Sequence, residues 1–288
     1  MSMKTLQEVL ACGSDGQKMS AQEYEQVKAD SYNAKEGTLN NEDGYDCREC
    51  KNNGYISTVI DYGLYVSEAL VPCKCQRIRA AIHRLNRSGL KNIVKEYTFD
   101  KYETQEQWQA MLKDAAMKFC TEDAEADNHW LFIGGQTGAG KSHLCTAAAV
   151  KYIKKGYDVR YMLWIDEVTK IIIAKVNNPE AYEGMLKELK EADVLYIDDL
   201  FKKGKDESGN VKLPTEAEIR IAFEILNYRY NNPNLVTIIS SERTVWDLCA
   251  IDEATAGRIS ERTKAQGYCF NIKKDTSRNW RLRDLQEI

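Results

Sequence analysis

Apolar and polar positions change rhythm along this chain. From about residue 96 onward, short, mainly apolar runs recur at 130–133, 159–164, 194–197, 235–239 and 268–272. Stretches with helical spacing lie around them, at 105–120, 143–150, 165–176, 182–191, 214–230 and 252–262, with a further helical turn at 246–248. Apolar runs of this length, bounded by turns and separated by helices, predict parallel strands buried on both faces. The expectation is an α/β domain over 96–288, a parallel sheet flanked by helices.

The first third reads differently. Residues 1–45 are polar, with Leu6, Val9 and Leu10 in one weak helical stripe and Tyr24 and Val27 in another. Asn40-Asn41-Glu42-Asp43-Gly44 reads as a turn or linker. This segment is either a small helical docking element or a mobile tail. Two short strands are expected at 55–60 and 64–66, around Asp61-Tyr62-Gly63. From 77 to 95 the chain carries Arg77, Arg79, Arg84, Arg87, Lys91 and Lys95 and no acid, while Ile78, Ala81, Ile82 and Leu85 share a helix face that ends at Ser88-Gly89. That linker helix presents either a solvated charged face or a surface for nucleic-acid phosphates or an acidic partner.

Composition narrows the classes. Of 288 residues, 43% are hydrophobic, enough for a substantial core, and the net charge of −4 argues against a chain coated with nucleic acid over its whole surface. No stretch approaches the roughly 18 apolar residues of a membrane span, and the start, Met1-Ser2-Met3-Lys4-Thr5, has no apolar signal core. A soluble cytoplasmic protein with no membrane partner is expected. The nine cysteines are an odd number for a disulfide framework, and four are clustered. Cys47-Arg48-Glu49-Cys50 and Cys73-Lys74-Cys75 each place two sulfurs near one point, and Gly54 can supply a positive φ to a knuckle-like turn. Four thiolates make a closed tetrahedral Zn²⁺ shell of the structural kind over 46–76, with an iron–sulfur cluster as the smaller alternative.

The chemistry-bearing stretch is Gly135-Gln136-Thr137-Gly138-Ala139-Gly140-Lys141-Ser142, followed by His143. It stands between an apolar strand and a helix, the context that the phosphate-loop pattern requires. Backbone N–H groups and the helix start would hold the phosphates of ATP, Lys141 would reach the β- and γ-phosphates, and the Ser142 hydroxyl would hold Mg²⁺. The run at 194–197 ends in Asp198-Asp199, two acids at the sheet edge where ligands bind. Asp198 would complete the Mg²⁺ shell and Asp199 would polarise the attacking water. Ser240 or Ser241 could touch the γ-phosphate or its water. Arg258 and Arg262 share a helix face. Either Glu261 pairs with one of them, or an arginine enters a neighbouring subunit's site. Phe99 and Tyr102 either line the base or pack in the core. No Asn-Lys-x-Asp pattern is present, so ATP is expected rather than GTP.

Taken together, GQTGAGKSHL, VLYIDDLF, NYRY, TIISSE, DEATAGRISER and NWRLR resemble the DnaC/DnaI-type replicative helicase loaders, especially phage-borne ones, as do the cysteine element and TFDKY. The resemblance runs from about Asp46 to the end. It implies an additional-strand P-loop ATPase of the AAA+ type that loads a DnaB-type helicase onto single-stranded DNA. It further implies a zinc-bearing part that touches the helicase and ATP-dependent self-association. By the same resemblance Lys141, Ser142, Asp198 and Asp199 fall on the nucleotide motifs, Ser241 or Ser240 on the first sensor, Arg258 on the inter-subunit finger and Arg281 on the second sensor. Where the sensor usually shows asparagine, this chain has Ser-Ser-Glu. An IstB-type transposition helper, a zinc-anchored adaptor that binds nucleotide without turnover and a small-molecule kinase are the competing readings. The cysteines favour the loader, Asp199 disfavours the adaptor, and no arginine lid supports a kinase.

Overall fold

A computed structural model of the chain describes residues 19–87, 96–121, 129–204, 208, 211–264 and 267–282. The stripe at Leu6, Val9 and Leu10, the Ser88-Gly89 helix end, Lys91 and Lys95 lie outside the described residues, as do the side chains of Arg84, Leu85 and Arg87. Two compact units, Met1–Ala80 and Ala81–Ile288, divide inside a helix.

In the first unit, helix α1 (Ala21–Ala34) starts at a capping box. The Ser20 side chain accepts from the Glu23 amide, and the Glu23 carboxylate accepts from Ser20 in return. Such a box satisfies two amides that a helix start leaves bare. The helix lies on an antiparallel hairpin of β1 (Tyr55–Asp61) and β2 (Val66–Pro72). Polar side chains hold it there. The Asn33 amide donates to the Ser57 carbonyl at 2.8 Å and accepts from its N–H at 2.9 Å, and Glu25 accepts from the Glu68 amide at 2.9 Å. Only Ala29 of the helix is fully buried and Val27 is exposed, so the expected Tyr24–Val27 stripe is not its packed face. Asn40–Asp43, expected as a turn, forms a short helix α2 closed by Gly44 at φ 73°. The hairpin resumes at Val66, which leaves the Leu64 end of the expected second strand in the turn. Helix α3 spans Cys75–Arg87.

The second unit begins with α4 (Gln107–Thr121), then β3 (Trp130–Gly135), α5 (Lys141–Lys154) and β4 (Val159–Leu163). It continues through α6 (Trp164–Asn177), α7 (Pro179–Glu191), β5 (Val194–Asp198), α8 (Glu216–Tyr230) and β6 (Val236–Ser241). The last elements are α9 (Val245–Cys249), α10 (Glu253–Lys264), β7 (Cys269–Ile272) and two 3-10 turns, Thr276–Arg278 and Trp280–Leu282. The sheet order is β4-β5-β6-β3-β7, and every neighbouring pair is parallel. This is the expected parallel sheet flanked by helices. It has the additional-strand arrangement of AAA+ domains, since β6 stands between the glycine-loop strand β3 and the acid-bearing strand β5. All residues of β3, β5 and β6 are buried, which explains why their sequences are mainly apolar rather than alternating. Trp164, expected in a strand, opens α6 instead. Its indole is fully buried and meets Phe201 edge-on at 5.2 Å. Among the described residues no helix is long and apolar enough to cross a membrane.

One buried cation ties the layers together. Arg229 on α8 is fully buried. Its guanidinium donates to the carbonyls of Leu189, Lys190, Ala192 and Val236 and to the Thr237 hydroxyl, at 2.6–3.2 Å. It thereby collects the end of α7 and the approach to β6. Removing it strands several buried acceptors, each costing about 1–3 kcal/mol when unpaired. Arg229→Met should destabilise the fold by about 3 kcal/mol or more, read as a lower urea midpoint at unchanged slope. A loss below about 1 kcal/mol would contradict this role.

Candidate functional site

The parallel topology brings three strand ends to one edge. Beyond β3 the chain turns at Gly135, Gly138 and Gly140, whose φ values are 105°, 74° and 81°. L-residues other than glycine pay for that backbone, so the three glycines let the loop curl its amides inward. Space is as tight as conformation. A Cβ on Gly140 would stand 2.7 Å from the Tyr102 ring, and one on Gly138 would stand 1.8 Å from the Asn279 side-chain oxygen. Lys141, the first residue of α5, is 6% exposed, and its ammonium donates to the carbonyls of Gly135 at 3.1 Å and Gln136 at 2.7 Å. It therefore sits inside the curl of the loop. Burial lowers its pKa below the ordinary lysine value, opposed by the charges of Asp199 and Glu242.

Asp198 ends β5 opposite this loop. Its Oδ1 accepts from the Ser142 hydroxyl at 2.8 Å, and its Oδ2 accepts from the Tyr161 hydroxyl at 3.1 Å. The Ser240 hydroxyl makes a short hydrogen bond to the same Oδ1 and accepts from the Asp199 amide at 3.0 Å. A carboxylate and a hydroxyl in direct contact, beside a buried lysine and a ring of amides, form an oxygen donor set suited to Mg²⁺. Asp199 follows at φ 57°, in the left-handed region.

The structure brings Ser240, rather than Ser241, to the acids. Adjacent side chains on a strand face opposite ways, and the Ser241 hydroxyl is fully buried and donates to the Leu200 carbonyl at 2.8 Å. Ser241 thus braces the turn after β5, and Ser240 is the one of the two candidate serines that meets Asp198.

A cleft of about 810 Å³ opens over the loop. Thr137 to His143, Asp199, Tyr97, Tyr102 and Arg281 line it. His143 stacks on Tyr97 at 4.7 Å and its Nε2 meets the Thr98 carbonyl at 2.8 Å. Burial lowers its pKa below the ordinary histidine value, opposed by the Thr98 carbonyl contact. Tyr102 both lines the cleft and packs under Gly140, which joins the two alternatives left open for it, while Phe99 is buried. The chain's later part closes one side. The Trp280 amide donates to the Gly138 carbonyl at 3.0 Å, and the Asp275 amide donates to Gln136 at 2.8 Å. Arg281 reaches the same cleft.

Arg258 does not line that cleft. Its guanidinium donates to Asn227 at 2.9 Å and to the Ala254 carbonyl at 2.8 Å, and it lies over Phe223 at 4.6 Å. Arg262 covers Tyr230 at 4.5 Å and also donates to its carbonyl. Glu261 interacts with the Tyr230 side chain.

The sequence reading missed Tyr161, Ser240's double contact, Glu242 and Lys202. Tyr161 is buried on β4 next to buried Met162, so no period singles it out. The other contacts depend on strand register and on a turn that carries no motif.

In the first unit Cys47, Cys50, Cys73 and Cys75 are buried, and their sulfurs all lie within 4.8 Å of one another. Lys51, Asn52 and Gly54 take positive φ and fold the chain so that the Gly54 amide donates to the Cys50 sulfur at 3.3 Å. Asn52 accepts from the Cys47 amide at 2.8 Å and from Arg79 at 2.9 Å. Burial raises the Cys75 thiol to about 11, against the pull of the neighbouring Arg79. Four convergent sulfurs with an N–H donor aimed at one of them fit a structural Zn²⁺. Cys47→Ser should drop bound zinc from one equivalent to near zero, measured by metal analysis after dialysis. Full retention would remove Cys47 from the ligand set.

A sequence-family model described as IstB-like ATP binding protein matches residues 65–284. The chain is 33% identical over 229 residues to the phage-like element PBSX protein XkdC of Bacillus subtilis (strain 168), covering 75% of this chain and 79% of that protein. It is 30% identical over 225 residues to the uncharacterized protein YqaM of the same organism, covering 74% and 67%. Among solved structures, the DnaC helicase loader superposes with a TM-score of 0.46 at 21% identity, over 62% of this chain and 96% of that one.

Proposed function

This chain belongs to the family of IstB-like ATP binding proteins, and on that premise we propose that it is an ATP-dependent loader of a DnaB-type replicative helicase onto single-stranded DNA. ATP·Mg²⁺ binds in the cleft over residues 135–143, with Ser142 and Asp198 holding the cation. Hydrolysis, with Asp199 orienting the water, serves as the release switch. Residues 96–288 are the motor, 77–95 the linker, and the zinc element at 46–76 the helicase-facing part. The observation that carries the nucleotide chemistry is the 2.8 Å contact of Ser142 with Asp198 beside buried Lys141. The start of α5 and the end of β5 meet there. The motif set resembling the loaders and the four-cysteine cluster support the replicative role.

The family description favours a second reading, a helper ATPase that acts on DNA with a transposase. Affinity capture of the tagged chain from host lysate with ATP separates them. Recovery of a replicative helicase, and ATP-dependent appearance of that helicase on single-stranded DNA in a purified mixture, is the result expected. Recovery of a transposase without helicase would replace the loader by the helper.

Self-association completes the site in this reading. Arg258 is not among the residues that line its own cleft, which is compatible with service to a neighbour's nucleotide. Arg258→Ala should leave ATP affinity within twofold and lower assembly-dependent hydrolysis by 10³-fold or so, the scale of arginine fingers. Unchanged turnover at high protein concentration would move the role to Arg262.

A further inference from the structure

Two side chains in the cleft have no part in the chemistry described so far. Lys202 lies three residues past Asp199, and Glu242 follows the last residue of β6. The Lys202 ammonium sits 2.7 Å from Asp199 Oδ2 and 3.2 Å from Glu242 Oε1. All three side chains line the cleft that holds Lys141 and Ser142.

The backbone builds this contact deliberately. Asp199 and Phe201 both take left-handed φ, at 57° and 58°. The Lys202 amide donates to the Asp199 carbonyl at 2.9 Å, so the chain folds straight back on itself. Leu200 and Phe201 are buried within the turn, and the Leu200 amide donates to the Ser240 carbonyl at 2.9 Å. The turn is thus pinned on both sides, and it holds the Lys202 backbone beside Asp199. Non-glycine residues held at positive φ are uncommon, and two in three positions mark a segment whose geometry is set for a purpose beyond its own stability.

A purely structural role explains little here. The side chains of Lys202 and Glu242 are 38% and 31% exposed, and ion pairs of that kind add little to stability. Orientation is a different matter. A carboxylate that must meet a water in line with a phosphorus atom gains from being fixed about its Cβ–Cγ bond. With Oδ2 engaged by the ammonium, Oδ1 is the oxygen left to receive the water's proton. Glu242 holds the far side of the ammonium, so the three groups together keep a net negative charge.

We infer that Lys202 is a positioning residue for ATP hydrolysis, fixing the Asp199 carboxylate from one side while Glu242 fixes Lys202 from the other. The inference rests on the proposed role of Asp199 as the group that orients the water. It assigns Glu242, the residue after the two candidate sensor serines, to orientation of the base through Lys202.

Steady-state hydrolysis and equilibrium binding of a non-hydrolysable ATP analogue test it, on the full chain and its Lys202→Met, Lys202→Arg, Glu242→Gln and doubly substituted Lys202→Met/Glu242→Gln variants. Lys202→Met should lower kcat at least tenfold with analogue affinity within twofold, and Lys202→Arg should restore at least half of the activity. Glu242→Gln should give a smaller fall, and the double variant should be no worse than Lys202→Met alone, because both act on one chain of contacts. Three results would overturn the inference: kcat within twofold of wild type in Lys202→Met, an affinity loss at unchanged kcat, or independent multiplication of the two effects. If Asp199→Asn abolishes hydrolysis while Lys202→Met does not, only this inference fails. If the wild-type chain binds ATP without hydrolysing it even when assembled, the reading of Asp199 fails with it.

Discussion

Lys141→Ala should reduce ATP affinity by about 100-fold or more while the zinc content and helical signal of the chain stay unchanged. The magnitude follows from what the ammonium does. It is buried in the curl of the glycine loop and donates to two of the loop's own carbonyls, so it is already desolvated and aimed where β- and γ-phosphates would lie. Charge-assisted hydrogen bonds are worth about 1.5–3 kcal/mol each, and two of them correspond to roughly two to four decades in affinity. The four cysteines belong to a different compact unit, which makes zinc content an internal check against general unfolding. Titration calorimetry with a non-hydrolysable analogue reads the effect. Affinity within threefold of wild type would mean that the phosphates bind elsewhere.

Asp199→Asn should leave that affinity intact and cut hydrolysis by about 10²–10⁴, the range expected when a positioned base is lost. Asparagine keeps the size and one acceptor oxygen, and the Asp199 amide remains bound to Ser240, so the turn after β5 has no reason to move. The experiment also separates a motor from a nucleotide-gated adaptor. Negligible and equal turnover in both proteins, with ATP still bound, would favour the adaptor. A large drop from a measurable rate favours the switch.

Much of this site was legible in the sequence because it is local. The glycines at 135, 138 and 140 are required by backbone conformation within one loop, and Lys141 and Ser142 follow at fixed spacing. Val194 to Asp198 announces itself as a buried strand whose end delivers an acid. The cysteine pairs are likewise short-range. What failed to show depends on contacts across the sheet. Ser240 and Ser241 are chemically identical, and only the pairing of β6 with β5 and β3 decides which hydroxyl meets Asp198 and which meets Leu200. Arg229 reads as one more charge on a helix, yet its partners come from α7 and β6. Lys202 and Glu242 carry no motif, and the left-handed turn that brings Lys202 back to Asp199 leaves no sequence signature among non-glycine residues. The packed face of α1 was misread for a related reason. Its attachment runs through Asn33 and Glu25 to strand backbone, and polar anchors leave no hydrophobic period.

The claim on which the rest depends is that one divalent cation joins the phosphate loop to the acid strand. Crystals grown with Mn²⁺ and a non-hydrolysable ATP analogue allow the metal to be located by its anomalous scattering. A single peak within coordination distance of the Ser142 hydroxyl, with Asp198 reaching it directly or through one water and the γ-phosphate beside Lys141, is the predicted result. A peak remote from both residues, or a triphosphate bound without contact to residues 135–142, would contradict the account.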